Sequence, residues 1–292
     1  MTYNELRSAL LAAGVGNADE CRREAELICA RFGNIPAAQL PFRRDEDIRS
    51  PAIDAALQRR IKREPLQYIL GEWEFYGLDL YLTPDCLVPR PDTEVSVAAA
   101  ISLLPHGARF ADLGTGSGAI AVSVLKNRDD THAAAVDIRR GALETAKKNA
   151  VRHGVDARCD LICADMLSNE LWGLLPCPLD AVISNPPYIP TRELAADMIQ
   201  PELEFEPHAA LDGGADGLDF YRILIPRSAE RGVLTDDGVV IFEVGAGESE
   251  AVAALGRSAG FFSAVLCDLG GIERTVILSK RKKSIDLKGY MI

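Results

Sequence analysis

No apolar run in this 292-residue chain reaches the roughly 18 residues that cross a bilayer, so no membrane partner is expected. The first residues, Met1-Thr2-Tyr3-Asn4-Glu5, lack a basic segment leading into an apolar one, and export is not expected either. Cysteines at metal-ligand spacing are missing. The seven are scattered, none form Cys-x-x-Cys, the nearest are Cys159 and Cys163, and only four histidines are available to join them. Neither a metal site nor a disulfide framework is expected, and a reducing cytoplasm suits such thiols better. Positive charge is also short. Lys and Arg number 32 against 43 Asp and Glu, a net charge of −11, which argues against gripping nucleic acid by its phosphates. No direct nucleic-acid substrate is therefore expected. Internal repeats and low-complexity tracts are absent.

What is there is an ordinary globular composition, 48% hydrophobic and 26% charged. Residues 1–64 read as a small helical bundle. Leu6, Leu10 and Leu11 mark one helix before the break at Gly14–Asn17, then Ala25, Leu27, Ile28 and Phe32 mark a second. Ile53, Ala56, Leu57, Arg60 and Ile61 mark another before Pro65. From Pro65 to Pro91 the texture changes to aromatic and β-branched residues around Gly71 and Gly77, which predicts a β-hairpin or extended linker. Residues 92–292 are expected to form the main domain.

Past residue 107, strand-like and helical segments alternate. Arg109–Leu113, Ala133–Val136, Arg158–Cys163, Ala181–Ser184 and Val239–Val244 read as strands. Ala119–Lys126, Gly141–His153, Gly217–Glu230 and Glu248–Ala259 read as helices. Phe261–Asp268 and Glu273–Ser279 read as a closing antiparallel pair. This order predicts an α/β fold, a doubly wound and mostly parallel sheet with helices on both faces. The basic tail from Lys280 is expected to be solvated.

Between the first of those strands and its helix lies Asp112-Leu113-Gly114-Thr115-Gly116-Ser117-Gly118. Glycines there allow a tight turn and let a ligand approach the backbone. Such turns alone are weak signals, because dinucleotide-binding proteins share them. Asp137 ends the next strand, about 20 residues on, where a carboxylate accepts from ribose hydroxyls. An adenosine-containing cofactor is therefore expected, either NAD or S-adenosylmethionine. The Gly-x-Gly-x-Gly spacing fits the latter, which needs no pyrophosphate cradle but does need an acceptor for its ammonium group. Asp112 or the turn carbonyls can serve. Asp165, just after the third strand, is placed to accept from the adenine amino group, with Met166 over the ring; a plain loop cap is the alternative for Asp165.

Asn185-Pro186-Pro187-Tyr188 directly follows another apolar strand, where ligands of open α/β sheets bind. Two prolines stiffen the turn and bias Asn185 to an extended backbone. This suits methylation of a planar amino group, whose nitrogen is a poor nucleophile because its lone pair is delocalised. The Asn185 side-chain oxygen and the Pro186 carbonyl can each accept one N–H, orienting the nitrogen and stabilising the positive charge that develops on it. Tyr188 can pack on the planar group. A rigid turn without chemistry is the plain alternative.

These residues resemble class I methyltransferases acting on planar nitrogens, and among them the release-factor glutamine methyltransferases. The likeness runs from Pro65 onward. It takes in Pro65–Gly71, Glu72–Gly77, Pro89-Arg90-Pro91-Asp92-Thr93-Glu94, the glycine turn and Asn185–Pro190. Glu206-Pro207, Ala210-Leu211, Gly213-Gly214 and Asp216-Gly217-Leu218 complete it. The first 60 residues match in type rather than in sequence. The resemblance implies a helical N-terminal domain, a hairpin linker and a class I methyltransferase domain. It also implies S-adenosylmethionine as cofactor and, as substrate, the glutamine of the Gly-Gly-Gln tip of peptide-chain release factors. By the same resemblance Gly114–Gly118, Asp137 and Asn185 are cofactor positions, and Asn185, Pro186, Pro187 and Tyr188 form the glutamine pocket. Glu248 stands where the family often has Gln, and Met166 where an aromatic residue is common.

Three other readings are open. An exocyclic amine on a flipped DNA adenine fits Asn-Pro-Pro-Tyr equally well, though the acidic charge opposes it. A different protein, such as a ribosomal protein, is a second possible substrate. A silent cofactor-binding module is the third. The mixed charges of residues 1–64 favour docking of a protein substrate over nucleic acid.

Overall fold

The computed structural model describes residues 1–195 and 199–285. Its contacts divide the chain into two compact units, one of Met1–Trp73 with Gln200–Phe205, the other of Glu74–Ile199 with the chain from Glu206 onward.

In the first unit the helices start and stop where capping chemistry places them. α1 (Tyr3–Ala12) opens with a reciprocal box: Glu5 N–H donates to Thr2 Oγ1 at 3.2 Å and Thr2 N–H to Glu5 Oε2 at 2.8 Å. Asn17 and Glu20 repeat the device for α2 (Ala18–Gly33), which Asn34 ends at a left-handed φ of 52°. Ser50 caps α3 (Pro51–Ile61), and Gly71 ends the short α4 (Leu66–Leu70). Leu6, Leu10, Ala25, Ile28, Ile53, Leu57, Leu66 and Ile69 form its apolar core. Leu11 and Leu27 face out instead, at 47% and 39% exposure. Arg60, buried in this unit, is held between Glu24 (2.8 Å) and Glu202 (3.0 Å).

Within the expected linker, 65–91, Leu66–Leu70 is helical and packs in the helical core. The hairpin itself is β1 (Glu72–Phe75) and β2 (Leu78–Tyr81). Tyr76 and Gly77 turn it with φ of 52° and 73°, the pair of positive angles that matches strand twist.

The second unit is built on a seven-stranded sheet. Its strands are β3 (Arg109–Leu113), β4 (His132–Asp137), β5 (Cys159–Cys163), β6 (Leu179–Ser184), β7 (Leu234–Glu243), β8 (Phe262–Cys267) and β9 (Glu273–Ser279), in the order β5-β4-β3-β6-β7-β9-β8. β3 to β7 run parallel, and β9 pairs antiparallel with both β7 and β8. The helices are α5 (Thr93–Leu103), α6 (Ala119–Asn127), α7 (Arg140–His153), the short α8 (Leu171–Leu174), α9 (Asp219–Ala229) and α10 (Ser249–Ser258). Successive strand residues go to opposite cores. Phe110, Ala181, Ile183 and Ile241 pack with α5 and α6 residues, whereas Ala111, Val182, Val240 and Phe242 pack with Tyr221, Leu224 and Val252. Burial on both faces explains why these strands read as unbroken apolar runs.

From β3 the chain winds outward to β4 and β5, then returns to β6 on the other side of β3. The carboxyl ends of β3 and β6 therefore flank the crevice where such sheets bind ligands. β7 starts at Leu234, earlier than expected, across an irregularity in its pairing with β6. Past β9, Arg281 pairs with Asp236 (3.0 Å) and Asp237 (3.3 Å), so the tail begins tethered; its end, 286–292, lies outside the described residues. Among the described residues no helix is long and apolar enough to cross a membrane. Among the described residues no cysteine forms a disulfide.

Candidate active site

A cavity of about 200 Å³ opens at the carboxyl ends of β3, β4, β5 and β6. The turn after β3 forms one wall. Gly114 and Thr115 N–H both donate to Val136 O (2.9 and 2.8 Å), and Gly116 N–H donates to Asp137 Oδ2 (2.9 Å). Gly114, Gly116 and Gly118 take φ of 75°, 56° and 81°, a region that costs other residues about 1–2 kcal/mol. A Cβ on Gly114 would lie 2.7 Å from Met166 Cε, so the methionine covers that glycine.

Asp137 ends β4 on the wall. Its Oδ1 accepts from Arg139 N–H at 2.9 Å, and each carboxylate oxygen has a further lone pair for a ligand. Asp165, Met166 and Leu167 follow β5, with Leu167 N–H donating to Asp165 Oδ1 at 2.8 Å. Ile138, Leu87, Pro89 and Phe220 add apolar surface. Arg139 Nη2 meets Asp85 Oδ1 at 2.7 Å, and both line the cavity.

β6 delivers Asn185 to the same wall, with Pro187 beside it. Asn185 Nδ2 donates to Thr93 Oγ1 at 3.2 Å, at the first residue of α5. Thr93 is buried, as is the Glu243 carboxyl at the end of β7. Burial pushes Glu243 up to about 7, and its Oε2 is enclosed without a hydrogen-bond partner. Glu206 accepts from Val88 N–H (3.0 Å) and Arg90 (2.5 Å), pinning the segment that carries Ala209 and Ala210 to the one before α5.

The structure therefore brings Gly114, Thr115, Gly116, Ser117, Asp137, Asp165, Met166, Asn185 and Pro187 around one cavity. Four of the expected residues stand elsewhere. Asp112 lies under the turn, accepting from the Thr115 hydroxyl (2.6 Å) and Ala121 N–H (3.1 Å). Burial raises its carboxyl to about 7, and Oδ1 is enclosed without a partner. Gly118 caps α6, where a Cβ would meet Ala146 Cβ at 3.1 Å, so it serves close helix packing. Pro186 is buried in the turn. The Tyr188 ring packs in the buried cluster with Tyr221 and Phe242, and its hydroxyl pKa is raised by burial and by Glu243.

Residues 2–71 match the family described as PrmC N-terminal domain, and residues 96–210 match Methyltransferase small domain. A release factor glutamine methyltransferase of Geobacter sulfurreducens is 40% identical over 92% of this chain and 92% of its own length. The chain belongs to the release factor glutamine methyltransferase family. A second member, from Moorella thermoacetica, is 37% identical over 95% of this chain and 98% of that protein. Among solved structures, the hMettl16 catalytic domain in complex with MAT2A 3'UTR hairpin 6 superposes with a TM-score of 0.56. It is 14% identical, over 80% of this chain and 83% of that one, a likeness of fold alone.

As a member of that family the chain is a methyltransferase with a mostly parallel sheet closed by antiparallel strands. The sequence alone assigns no role to Thr93, Glu243 or Glu206. Thr93 stands in Pro-Arg-Pro-Asp-Thr-Glu and Glu206 in Glu-Pro, so the motifs were visible. Their partners lie on distant parts of the chain, which is why the motifs alone did not disclose what they do.

Proposed function

We propose that this enzyme transfers a methyl group from S-adenosylmethionine to the side-chain amide nitrogen of a glutamine, the one in the Gly-Gly-Gln tip of a peptide-chain release factor. One observation carries the reading most: Asn185 shares a cavity wall with the glycine turn and Asp137, and its Nδ2 is already engaged by Thr93. Its Oδ1 is thereby left as an acceptor for a substrate N–H.

The residues fit the cofactor. The glycine turn gives close backbone approach, and Asp137 keeps acceptor capacity for ribose hydroxyls. Ile138, Met166, Leu167 and Phe220 offer apolar cover for a purine, with Asp165 as acceptor for its amino group. Asp112 holds the turn from below. When bound, S-adenosylmethionine supplies an electrophilic methyl on its sulfonium.

This chain's own groups then act on the glutamine. Asn185 Oδ1 and the Pro186 carbonyl each accept one N–H, fixing the amide plane. Both contacts strengthen as the nitrogen gains positive charge, which is the differential binding that raises turnover. The proton is acidified by methylation and leaves afterwards, so no strong base is needed first. Tyr188 holds the turn from the buried side, and Pro187 walls the site.

We further propose that the helical region 1–64 docks the release factor, in the cytoplasm, where thiols outside disulfides stay reduced. Deleting residues 1–64 without any loss of transfer to an intact release factor would withdraw that role. The reaction itself is tested by incubating the enzyme with labelled S-adenosylmethionine and either purified release factor or DNA. Label on the release factor supports the reading, and label only on DNA refutes it.

A further inference from the structure

The chain leaving β2 is fastened step by step to one face of α7. Tyr81 bonds the side chain of Asn149 twice: its N–H donates to Oδ1 (2.7 Å) and its carbonyl accepts from Nδ2 (3.0 Å). The Thr83 and Thr145 hydroxyl oxygens lie 3.2 Å apart. The Asp85 carboxylate comes next and rests on Gly141, where a Cβ would lie 2.5 Å from Asp85 Cγ. Asn149, Thr145 and Gly141 are spaced by four, which puts them on one helical face. Alanine suits a helix better than glycine does. Glycine at 141 is what leaves room for the carboxylate.

This register delivers Asp85 to the cofactor cavity, which Cys86, Leu87 and Pro89 also line. Farther on, Val88 N–H is held by Glu206 at 3.0 Å, so the chain is fixed on both sides of Asp85. Asp85 Oδ1 itself accepts from Arg139 Nη2 at 2.7 Å. Arg139 lines the cavity too, and its N–H donates to Asp137, the proposed ribose acceptor, at 2.9 Å. The side chains of Asp85 and Arg139 are 47% and 41% exposed. Lining the cavity while open to solvent, they stand at its rim, one from each wall. An ion pair so exposed adds little to stability. A contact across the rim bears instead on how readily a bound ligand leaves.

We propose that the Asp85–Arg139 pair is a gate on the cofactor cavity: closed, it retains S-adenosylmethionine, and it parts for the cofactor to exchange. Gly141 is the seat that lets the gate close, because a side chain there pushes the Asp85 carboxylate off its place. The proposal rests on the cofactor reading above and gives neither residue a part in the methyl transfer itself.

The test is the release of labelled S-adenosylmethionine from preloaded enzyme, chased with excess unlabelled cofactor and with no release factor present. Asp85→Ala should speed release about threefold, which is within the strength of an exposed ion pair. Gly141→Ala touches neither charge and favours the helix, yet it should speed release to a similar extent. Because both act through one contact, the double variant should release no faster than either single one. The melting midpoint of the unliganded protein should hold in all three. Release at the wild-type rate in Asp85→Ala, or still faster release in the double variant, would overturn the gate while leaving the cofactor site standing. So would faster release that comes with a lower melting midpoint, since the pair would then serve folding. A wild type that retains no labelled S-adenosylmethionine would overturn the cofactor reading and the gate together.

Discussion

The N–H of Gly116 donates to Oδ2 of Asp137 at 2.9 Å, tying the turn after β3 to the end of β4. The carboxylate that is proposed to hold the cofactor ribose thus also fixes the backbone that lets the cofactor approach. Arg139 N–H on the other oxygen fixes its rotation.

Asp137→Ala should therefore do more than remove one ligand contact. S-adenosylmethionine affinity should drop by about 1–3 kcal/mol, the usual loss when buried polar partners go unpaired. Calorimetry measures it, and an unchanged affinity in a folded variant would take Asp137 out of the ribose role.

Gly114→Ala tests the turn directly. At φ 75° an alanine is strained by about 1–2 kcal/mol, and its Cβ falls 2.7 Å from Met166 Cε. Met166 ends in a flexible side chain, so Met166→Ala added to Gly114→Ala should relieve the clash but not the strain. Thermal denaturation of both should show a loss that the second substitution only partly repairs. Full repair would mean that the backbone angle matters little.

How far was this arrangement legible beforehand? The strands were, because burial on both faces makes them short apolar runs such as Ala181–Ser184. The glycine turn and Asn-Pro-Pro-Tyr were legible too, because backbone constraint demands those residue types. α5 went unread, since Thr93–Leu103 buries Val95, Val97, Ala99 and Ala100 with no polar stripe to mark a helical period. Leu66–Leu70 is too short to show a period at all. Asp112 and Tyr188 adjoin the motifs yet stand off the cavity wall. A strand end fixes which residues come near a crevice, but not which way each side chain turns. Thr93 is far from Asn185 in sequence, and only the fold brings the two together.

Asn185→Ala should slow single-turnover transfer about a hundredfold or more, the common cost of one preorganised electrostatic contact. Asn185→Asp should fail as well, because a negative charge beside the sulfonium steadies the ground state along with the transition state. Cofactor affinity is measured separately. Wild-type rates in Asn185→Ala would reduce the turn to scaffold.

Glu248 offers a pH test away from the reacting atoms. Half-buried, it accepts from Gly245 N–H at 2.9 Å, and burial raises its carboxyl from 4.5 to about 7. The folded state then binds a proton that the unfolded state releases, so its stabilising share is complete below about 4.5 and lost as pH rises through about 7. Glu248→Gln, carrying a permanently neutral group, should escape that loss. Urea midpoints across this range should show the variant gaining on wild type as pH rises, then levelling. A difference that stays constant with pH would contradict the assignment.

The most direct measurement of the central claim is the position of the transferred methyl. A purified release factor is incubated with this enzyme and S-adenosylmethionine, digested, and its peptides fragmented in a mass spectrometer. The account predicts one methyl on the side-chain amide of the glutamine in Gly-Gly-Gln, formed by the wild type and nearly absent with Asn185→Ala. A methyl on any other residue, or none on an intact release factor with a folded, cofactor-binding enzyme, would contradict it.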